Sequence, residues 1–189
     1  MRAERMATNV RSIGIAALAA ATVWAIGATV DACSSKAPQS TNYSNLLANP
    51  NDVWDTTAYS AAPPTSNPNG QTGVQDVYTH RDQTRQITDT ILVLSDPAAA
   101  TASLKQTQAG LGNKVVNSKA QPAPVGIGGT IVSGSSPDGS KAVSVLLFTE
   151  GKAAATVEFA GSPKDPATPD LVTEFGQHQD AAIKKGLPA

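Results

Sequence analysis

The sequence has few of the residues that build disulfides, metal centres and catalytic triads. Its 189 residues include one cysteine, Cys33, and two histidines, His80 and His178. A single cysteine excludes an intramolecular disulfide and a zinc site made of cysteines. The two histidines are far apart in the sequence and form no short ligand motif. We therefore expect neither a metal centre nor a cofactor.

Charged and aromatic residues are also scarce, at 15% and 4% of the chain. Removal of residues 1–32 would take away three of the 14 basic and two of the 15 acidic residues, which leaves a net charge of −2. A nucleic-acid-binding domain needs a clustered basic face, so this balance argues against a nucleic acid as partner. With so few aromatic rings, the core must consist mainly of alanine, valine, leucine and isoleucine.

The N-terminus has the pattern of an export signal. Arg2, Arg5 and Arg11 precede an uncharged, alanine-rich apolar run over residues 13–30. A basic segment followed by an apolar run and small residues is typical of a secretory signal peptide. The run is also about long enough to cross a bilayer, so a retained membrane anchor fits the same pattern.

Cys33 stands immediately after this run, in the sequence Val30-Asp31-Ala32-Cys33. The stretch resembles the bacterial lipobox, whose cysteine is diacylated and becomes the new N-terminus, although Asp31 departs from it. Ordinary cleavage after Ala32, which would leave a free thiol, is the alternative. We predict that residues 1–32 are a lipoprotein signal peptide. Lipidated Cys33 would then hold the protein on the extracytoplasmic face of the cell membrane.

Residues 33–73 are rich in serine, threonine and proline and are predicted to be a tether. The proline-rich part at 61–70 cannot sustain a helix or a paired strand. The interval 43–59 is apolar enough to dock on the following domain, partly as a short helix. Within it lies Trp54, whose indole ring either anchors this segment or stacks on a ligand.

Residues 74–189 are predicted to form a single domain. Residues 126–161 read as three strands joined by two turns, and the middle strand is apolar on both faces, so we expect it to be central and covered. Strands at 74–79 and 85–94 form a hairpin, and residues 115–116 begin a further strand. Two helices follow capping signals, at Asp96-Pro97 and at Thr168-Pro169. The predicted fold is α+β, an antiparallel sheet of about five strands with two helices packed on one face.

Three stretches together resemble mycobacterial cell-envelope lipoproteins: residues 30–33, residues 89–96 before an alanine-rich helix, and residues 134–151 with their Pro-Asp-Gly turn. More distantly, the arrangement is similar to exported sensor-like domains typified by the extracellular domain of the mycobacterial kinase PknH. Those domains use disulfides, which this chain cannot form. The resemblance implies a ligand-binding or sensing role in the envelope.

No pattern in the sequence indicates a catalytic centre, so we predict that the protein is not an enzyme. Ser135 and Ser136 are the best candidates for a nucleophile, but the segment lacks the second glycine and the strand-to-helix turn of a nucleophile elbow. The glycines at 126–129 precede a strand, so no helix N-terminus is present to hold a phosphate. Asp89, on an otherwise apolar strand face, is the carboxylate of greatest interest.

The leading functional hypothesis is a lipid-anchored envelope module that binds a lipid, a glycolipid or a small envelope ligand in an apolar groove. Phe148, Phe159 and Trp54 are the predicted ligand-binding residues. The alternative is a structural or protein-interaction module whose groove is filled by its own side chains. In either case the membrane is reached through the N-terminal lipid, and an envelope lipid or protein is the expected partner.

Overall fold

An antiparallel sheet of eight strands is the centre of the structure, a computed structural model that describes residues 42–187. The main path of hydrogen-bonded strands runs β1-β3-β4-β8-β7-β6-β5, and β2 pairs with β3. The strands are β1 (Tyr59–Ala61), β2 (Thr65–Ser66), β3 (Gly73–His80), β4 (Gln86–Val93), β5 (Val116–Pro122), β6 (Ile127–Ser135), β7 (Ala142–Glu150) and β8 (Ala153–Gly161).

The predicted meander and hairpin are present as β6-β7-β8 and β3-β4. The count of about five strands was too low, because β1 and β2 lie within residues 33–73, which were interpreted as tether. They have three and two residues, and both pair with β3. Strands so short show no alternation of apolar and polar residues. Their pairing is set by the neighbouring strand and not by their own sequence.

Within residues 42–187, three α-helices accompany the sheet, one more than the two predicted: α1 (Pro50–Val53), α2 (Pro97–Gly110) and α3 (Pro169–Gly186). The capping predictions are confirmed. The carboxylate of Asp96 accepts from the Ala99 amide at 2.8 Å, and Thr168 caps α3 through the Leu171 amide at 3.4 Å. Each cap satisfies an amide that the first helical turn leaves free.

The two long helices pack on opposite faces of the sheet, so the prediction of one shared face was wrong. On one face α2 contacts β7 and β8 over a cluster that includes Val143, Val145 and Leu147. On the other, α3 covers Leu146 and Phe148 of the same strand. A strand that is apolar on both faces needs a cover on each. The apolar residues of β7 are therefore the physical reason for the two layers.

The segment of residues 42–58, here named the N-terminal strap, packs on the same face as α3. Leu46 of the strap is fully buried, and Leu47, Val53 and Trp54 pack against the same core. Gly176 of α3 permits a close approach to the sheet, since a Cβ there would lie 2.4 Å from Leu146 Cδ2. The strap and α3 together enclose one side of the sheet.

Candidate functional site

Asp89 of β4 places a carboxyl group inside the hydrophobic core. It lies on the α3 face of the sheet with Ile87 and Ile91, and it is 0% exposed. Neither of its carboxyl oxygens has a hydrogen-bond partner. Burial, followed by the charge of Asp76, raises the pKa of Asp89 well above its ordinary value. An unpaired buried carboxyl group is costly, and such groups concentrate at functional sites.

Asp76 of β3 stands directly opposite Asp89 in the sheet register. It is 8% exposed, and its Oδ1 accepts a hydrogen bond from the Val77 amide at 2.7 Å. Like charges directly opposite each other destabilise a pair of strands. In the ion pairs formed within residues 42–187, no basic side chain is matched to either carboxyl group. The pair therefore joins the carboxyl group of Asp76 to that of Asp89, whose negative charge is disfavoured by burial.

Tyr78 lies two residues beyond Asp76, on the same face of β3, and is 6% exposed. Burial raises the pKa of Tyr78 above its ordinary value, and the carboxyl groups of Asp89, Asp76 and Asp52 add to the increase. Asp52 belongs to α1 of the strap. Three carboxyl groups thus act on one phenol, so this corner of the protein favours positive charge or proton donors.

A cavity of about 310 Å³ opens onto these side chains, and we name it the Asp76 pocket. Its volume is at the lower end of the range for small-molecule sites, about 300 to 1,000 Å³. The strap contributes Ser44, Asn49 and Asn51 to its wall, and the sheet contributes Tyr59, Asp76 and Tyr78. Carboxylate, amide and hydroxyl groups therefore border one open depression of the surface.

Gln179 of α3 holds the strap that forms one wall of this pocket. Its side chain is 0% exposed, its Nε2 donates to the Leu46 carbonyl at 2.5 Å, and its Oε1 accepts from the Ala48 amide at 2.7 Å. A primary amide offers both donors and an acceptor, so one side chain satisfies two buried backbone groups of the strap. The position of the wall thus depends on a single residue of a distant helix.

A second pair of hydrogen bonds joins the strap to β1. The side chain of Asn51 donates from Nδ2 to the Tyr59 carbonyl oxygen, and its Oδ1 accepts from the Tyr59 backbone N–H, both at 2.8 Å. β1 is an edge strand with no neighbouring strand on its outer side, and these two bonds take the place of strand pairing there. They fix Tyr59 at the boundary of the Asp76 pocket.

The three side chains predicted to bind a ligand lie in or against the core. Phe148 is fully buried and Phe159 is 5% exposed. Trp54 is half-buried and donates from its indole nitrogen to Glu174 at 2.9 Å. Phe175 joins two of them, with ring centroids 5.8 Å from Trp54 and 5.8 Å from Phe159. The space that the sequence assigned to an apolar groove is thus largely occupied by α3.

Part of Phe159 nevertheless borders a small cavity of about 100 Å³ at the start of α3. Ile87 and Leu171 line it as well, and an ion pair between Arg85 and Asp165 lies at its rim. At about 30 Å³ for each water in the liquid, this space holds only a group of a few heavy atoms. It would accept the end of an apolar chain, not a whole lipid.

Of the remaining polar candidates, Ser136 and His80 have local partners. Ser136 donates to Asp138 at 2.6 Å, and this bond, with others from Ser140, lowers the pKa of Asp138 to about 2. The serine thus stabilises the turn between β6 and β7. His80 bonds Asp82 at 2.6 Å, and His178 is exposed on α3. Among residues 42–187 no group of three or more potential metal ligands comes together.

Cys33 lies outside the described residues, as do the predicted signal peptide and residues 34–41 of the predicted tether. Within the described part of the chain, no helix is both long enough and apolar enough to cross a bilayer.

The comparisons with known proteins include a distant structural similarity. The fold is similar to the extracellular domain of PknH from Mycobacterium tuberculosis, with a TM-score of 0.46 and 9% identity over 75% of this chain and 74% of that one. No protein-family model matches the sequence, and no curated protein matches it. The distant likeness to this extracellular domain that the sequence indicated is confirmed, and at this level it concerns the arrangement of the fold alone.

Sequence reasoning singled out Asp89 but missed Asp76, Tyr78 and Gln179. Two signals were present. Asp76 alternates with Val74 and Tyr78 on one face of β3, so it belongs to the same face as buried residues. Gln179 lies at helical spacing from Phe175 and Ile183 on the buried side of α3. A polar residue in an apolar stripe is the signal that identifies such positions.

Proposed function

We propose that the protein is a non-enzymatic binding module that takes a small polar ligand into the Asp76 pocket. In this proposal an acylated Cys33 holds the module at the extracytoplasmic face of the cell membrane. The observation that carries the proposal is the pocket lined by the carboxyl group of Asp76 and by Tyr78, in a part of the sheet where Asp76 stands opposite the unpartnered Asp89. A ligand with hydrogen-bond donors would pair with Asp76.

The anchor is tested by the substitution Cys33→Ser. Two acyl chains on one cysteine hold a protein stably in a bilayer, because each buried CH₂ contributes about 0.8 kcal/mol. We expect the wild-type protein in the membrane fraction and the variant in the extracytoplasmic fluid, measured by immunoblot after cell fractionation. Ser35→Ala, two residues further along, is the matched control and stays in the membrane. A Cys33→Ser protein that remains membrane-bound would point to a retained apolar helix instead of the lipid.

The pocket is tested by filling it. Ala61 of β1 is exposed, lines the Asp76 pocket and pairs with Tyr78, so Ala61→Trp should block the entrance. Ser60→Trp is the matched control, because its side chain points to the opposite face of the same strand. Native mass spectrometry of the full chain, extracted gently from its membrane, should show a small bound species on the wild type and on Ser60→Trp.

We expect the Ala61→Trp protein to be folded and free of that species. Retention of the species by Ala61→Trp would place the ligand elsewhere. A folded wild-type protein that carries no small molecule after extraction, and that binds none of the small molecules added to it, would contradict the proposal. That result would favour the structural or protein-interaction module.

One specific observation favours the lipid or glycolipid hypothesis, namely the cavity beside Phe159. Its apolar floor and its Arg85–Asp165 rim suit the end of an acyl chain next to a polar headgroup. The same mass spectra separate the two hypotheses. A lipid-sized species that persists in Ala61→Trp would favour this cavity over the Asp76 pocket.

A further inference from the structure

We propose that the end of the domain where Asn42 lies is a docking surface for an anionic phospholipid bilayer, with the side chain of Ile127 inserted at the membrane surface. The inference rests on the N-terminal anchor of the proposed function and is independent of the Asp76 pocket. Three features carry it: the position of Asn42, an exposed apolar side chain on an uncharged loop, and two exposed lysines at the same end.

The strap begins at the end of the sheet where β7 ends and β8 starts. Asn45, three residues after Asn42, donates from its side chain to the carbonyl of Gly186 at 3.4 Å, in the last turn of α3. In the same helical turn, Lys184 lies 3.6 Å from Glu150, the last residue of β7. The strap, the C-terminus of α3 and the β7–β8 turn therefore share one end of the domain.

The distance from the anchor to Asn42 is short. Residues 34–41 lie between Cys33 and Asn42, and a fully extended chain of this length spans about 30 Å. A nine-residue strand such as β7 is about equally long. The end of the sheet that carries Asn42 is thus within reach of the bilayer in every arrangement of this segment, whereas the opposite end is not. An anchored domain therefore turns the Asn42 end to the membrane.

Ile127 projects from this same end. It pairs with Thr149, the residue before Glu150, and it is 66% exposed, while every other large apolar side chain within residues 42–187 is at least partly buried. The loop that carries it, residues 122–128, has no charged side chain. Val125 fixes the loop by packing, 2% exposed, against α3. An apolar side chain held outward on an uncharged loop suits the boundary between head groups and acyl chains.

The carboxylates at this end are engaged within the protein. Lys184 bonds Asp180 at 2.6 Å and lies 3.6 Å from Glu150, and both carboxylates are partly buried. Asp96 is exposed, but its carboxylate caps α2 through the Ala99 amide.

Two lysines at this end point to solvent. Lys152 is in the β7–β8 turn and Lys185 is in the last turn of α3, and both are exposed. Neither takes part in the ion pairs formed within residues 42–187. Lysines beside an apolar side chain complement the negative charge of anionic head groups, and each strengthens the association. The charge at this end thus favours an anionic bilayer.

A polarity-sensitive label at position 127 tests the inference on the full chain with its anchor. Cys33 is the one cysteine of the sequence, and acylation blocks its thiol, so Ile127→Cys takes a nitrobenzoxadiazole label at a single site. Ser140→Cys, exposed in the turn at the opposite end of β7, is the matched control. Each labelled protein is reconstituted into phosphatidylcholine vesicles with about 30 mol% phosphatidylglycerol, which supplies the anionic head groups.

We expect the label at position 127 to emit at shorter wavelength, at least about twofold more brightly than at position 140, and to be quenched by spin-labelled lipid. Lys152→Gln or Lys185→Gln, added to the labelled protein, should weaken docking about fivefold, the effect of one charge near an anionic surface. Lys164→Gln, exposed before the start of α3 at its other end, removes the same charge and should leave docking unchanged. Circular dichroism confirms that the variants are folded.

Three outcomes would overturn the inference. A label at position 127 that stays as exposed to water as the one at position 140, on protein that remains with the vesicles, would reject the docking surface and leave the anchor standing. Protein that does not remain with the vesicles would remove the anchor and this inference together. A label that is shielded in native membranes but not in vesicles would assign the surface to a protein partner instead of lipid.

Discussion

Replacing Asp89 by asparagine should make the protein more stable at neutral pH. The substitution keeps the size of the side chain and removes the need to bury an ionisable group without a partner. We expect an increase of at least about 1 kcal/mol in the free energy of unfolding at pH 7, because the wild-type protein must keep Asp89 protonated in order to bury it, whereas asparagine needs no proton. Chemical denaturation of wild type and variant measures it directly.

The stabilisation by Asp89→Asn should depend on pH, and the direction of this dependence follows from the pKa of Asp89. That pKa is raised in the folded protein, while in the unfolded chain it lies near 3.8. At a pH below the pKa of the unfolded chain, Asp89 holds its proton in both the folded and the unfolded state, so its ionisation then costs little stability. As the pH rises above it, the unfolded state ionises first and wild-type stability falls until the folded pKa is passed. The advantage of Asp89→Asn should therefore be small at pH 4 and grow towards pH 8.

Asp170→Asn is the control for this series, because that carboxyl group is exposed. We expect it to follow the wild-type profile to within about 0.5 kcal/mol. A profile for Asp89→Asn that runs parallel to the wild type would show that Asp89 is ionised and partnered in the folded protein.

Removing the Gln179 side chain should have an effect of similar size in the opposite direction. Gln179→Ala breaks both hydrogen bonds to the strap and leaves the Leu46 carbonyl and the Ala48 amide unsatisfied. We expect a loss of about 2–4 kcal/mol in the free energy of unfolding, the sum of two lost bonds and the unpaired groups. Gln177→Ala, an exposed position on the same helix, should change stability by less than about 0.5 kcal/mol.

The loss of stability in Gln179→Ala should affect the strap before it affects the whole protein. Residues 42–58 carry few backbone bonds of their own, so without Gln179 they should open at lower free energy than the sheet. Limited proteolysis should cut the variant within the strap while β3 to β8 stay protected, and ligand binding should weaken because Ser44 and Asn49 line the pocket. Equal protection of the strap in Gln179→Ala and wild type would show that apolar contacts of Leu46 alone hold it.

The stability of the strap and the proposed binding function are thus linked through one wall of the Asp76 pocket. The sheet side, with Asp76 and Tyr78, belongs to a hydrogen-bonded hairpin and is rigid. The strap side depends on Gln179 and on Asn51. A ligand that contacts both sides would stabilise the strap by mass action. We expect the proteolysis of residues 42–58 to slow when the pocket is occupied.

Much of the fold was readable from the sequence because its signals are local. The Pro-Asp-Gly turn and the period-two alternation predict β6, β7 and β8, and caps at Asp96 and Thr168 predict the starts of α2 and α3. These features depend on residues within a few positions of one another. The export signal and Cys33 are equally local patterns, and their chemistry stays a prediction.

The tertiary structure alone decided which side chains meet. The sequence shows that Phe148 and Phe159 are apolar, but whether they line a groove depends on where α3 packs. In the structure α3 packs over both of them. The pairing of Asp76 with Asp89 follows from the hairpin register, and the contact of Gln179 with Leu46 spans 133 positions of sequence. Local patterns carry no information about such distant partners, because sheet register and helix placement result from burial of the whole core. The sequence by itself therefore determined the elements and the expected route of export, whereas the pocket exists only through contacts between the strap, α3 and β3.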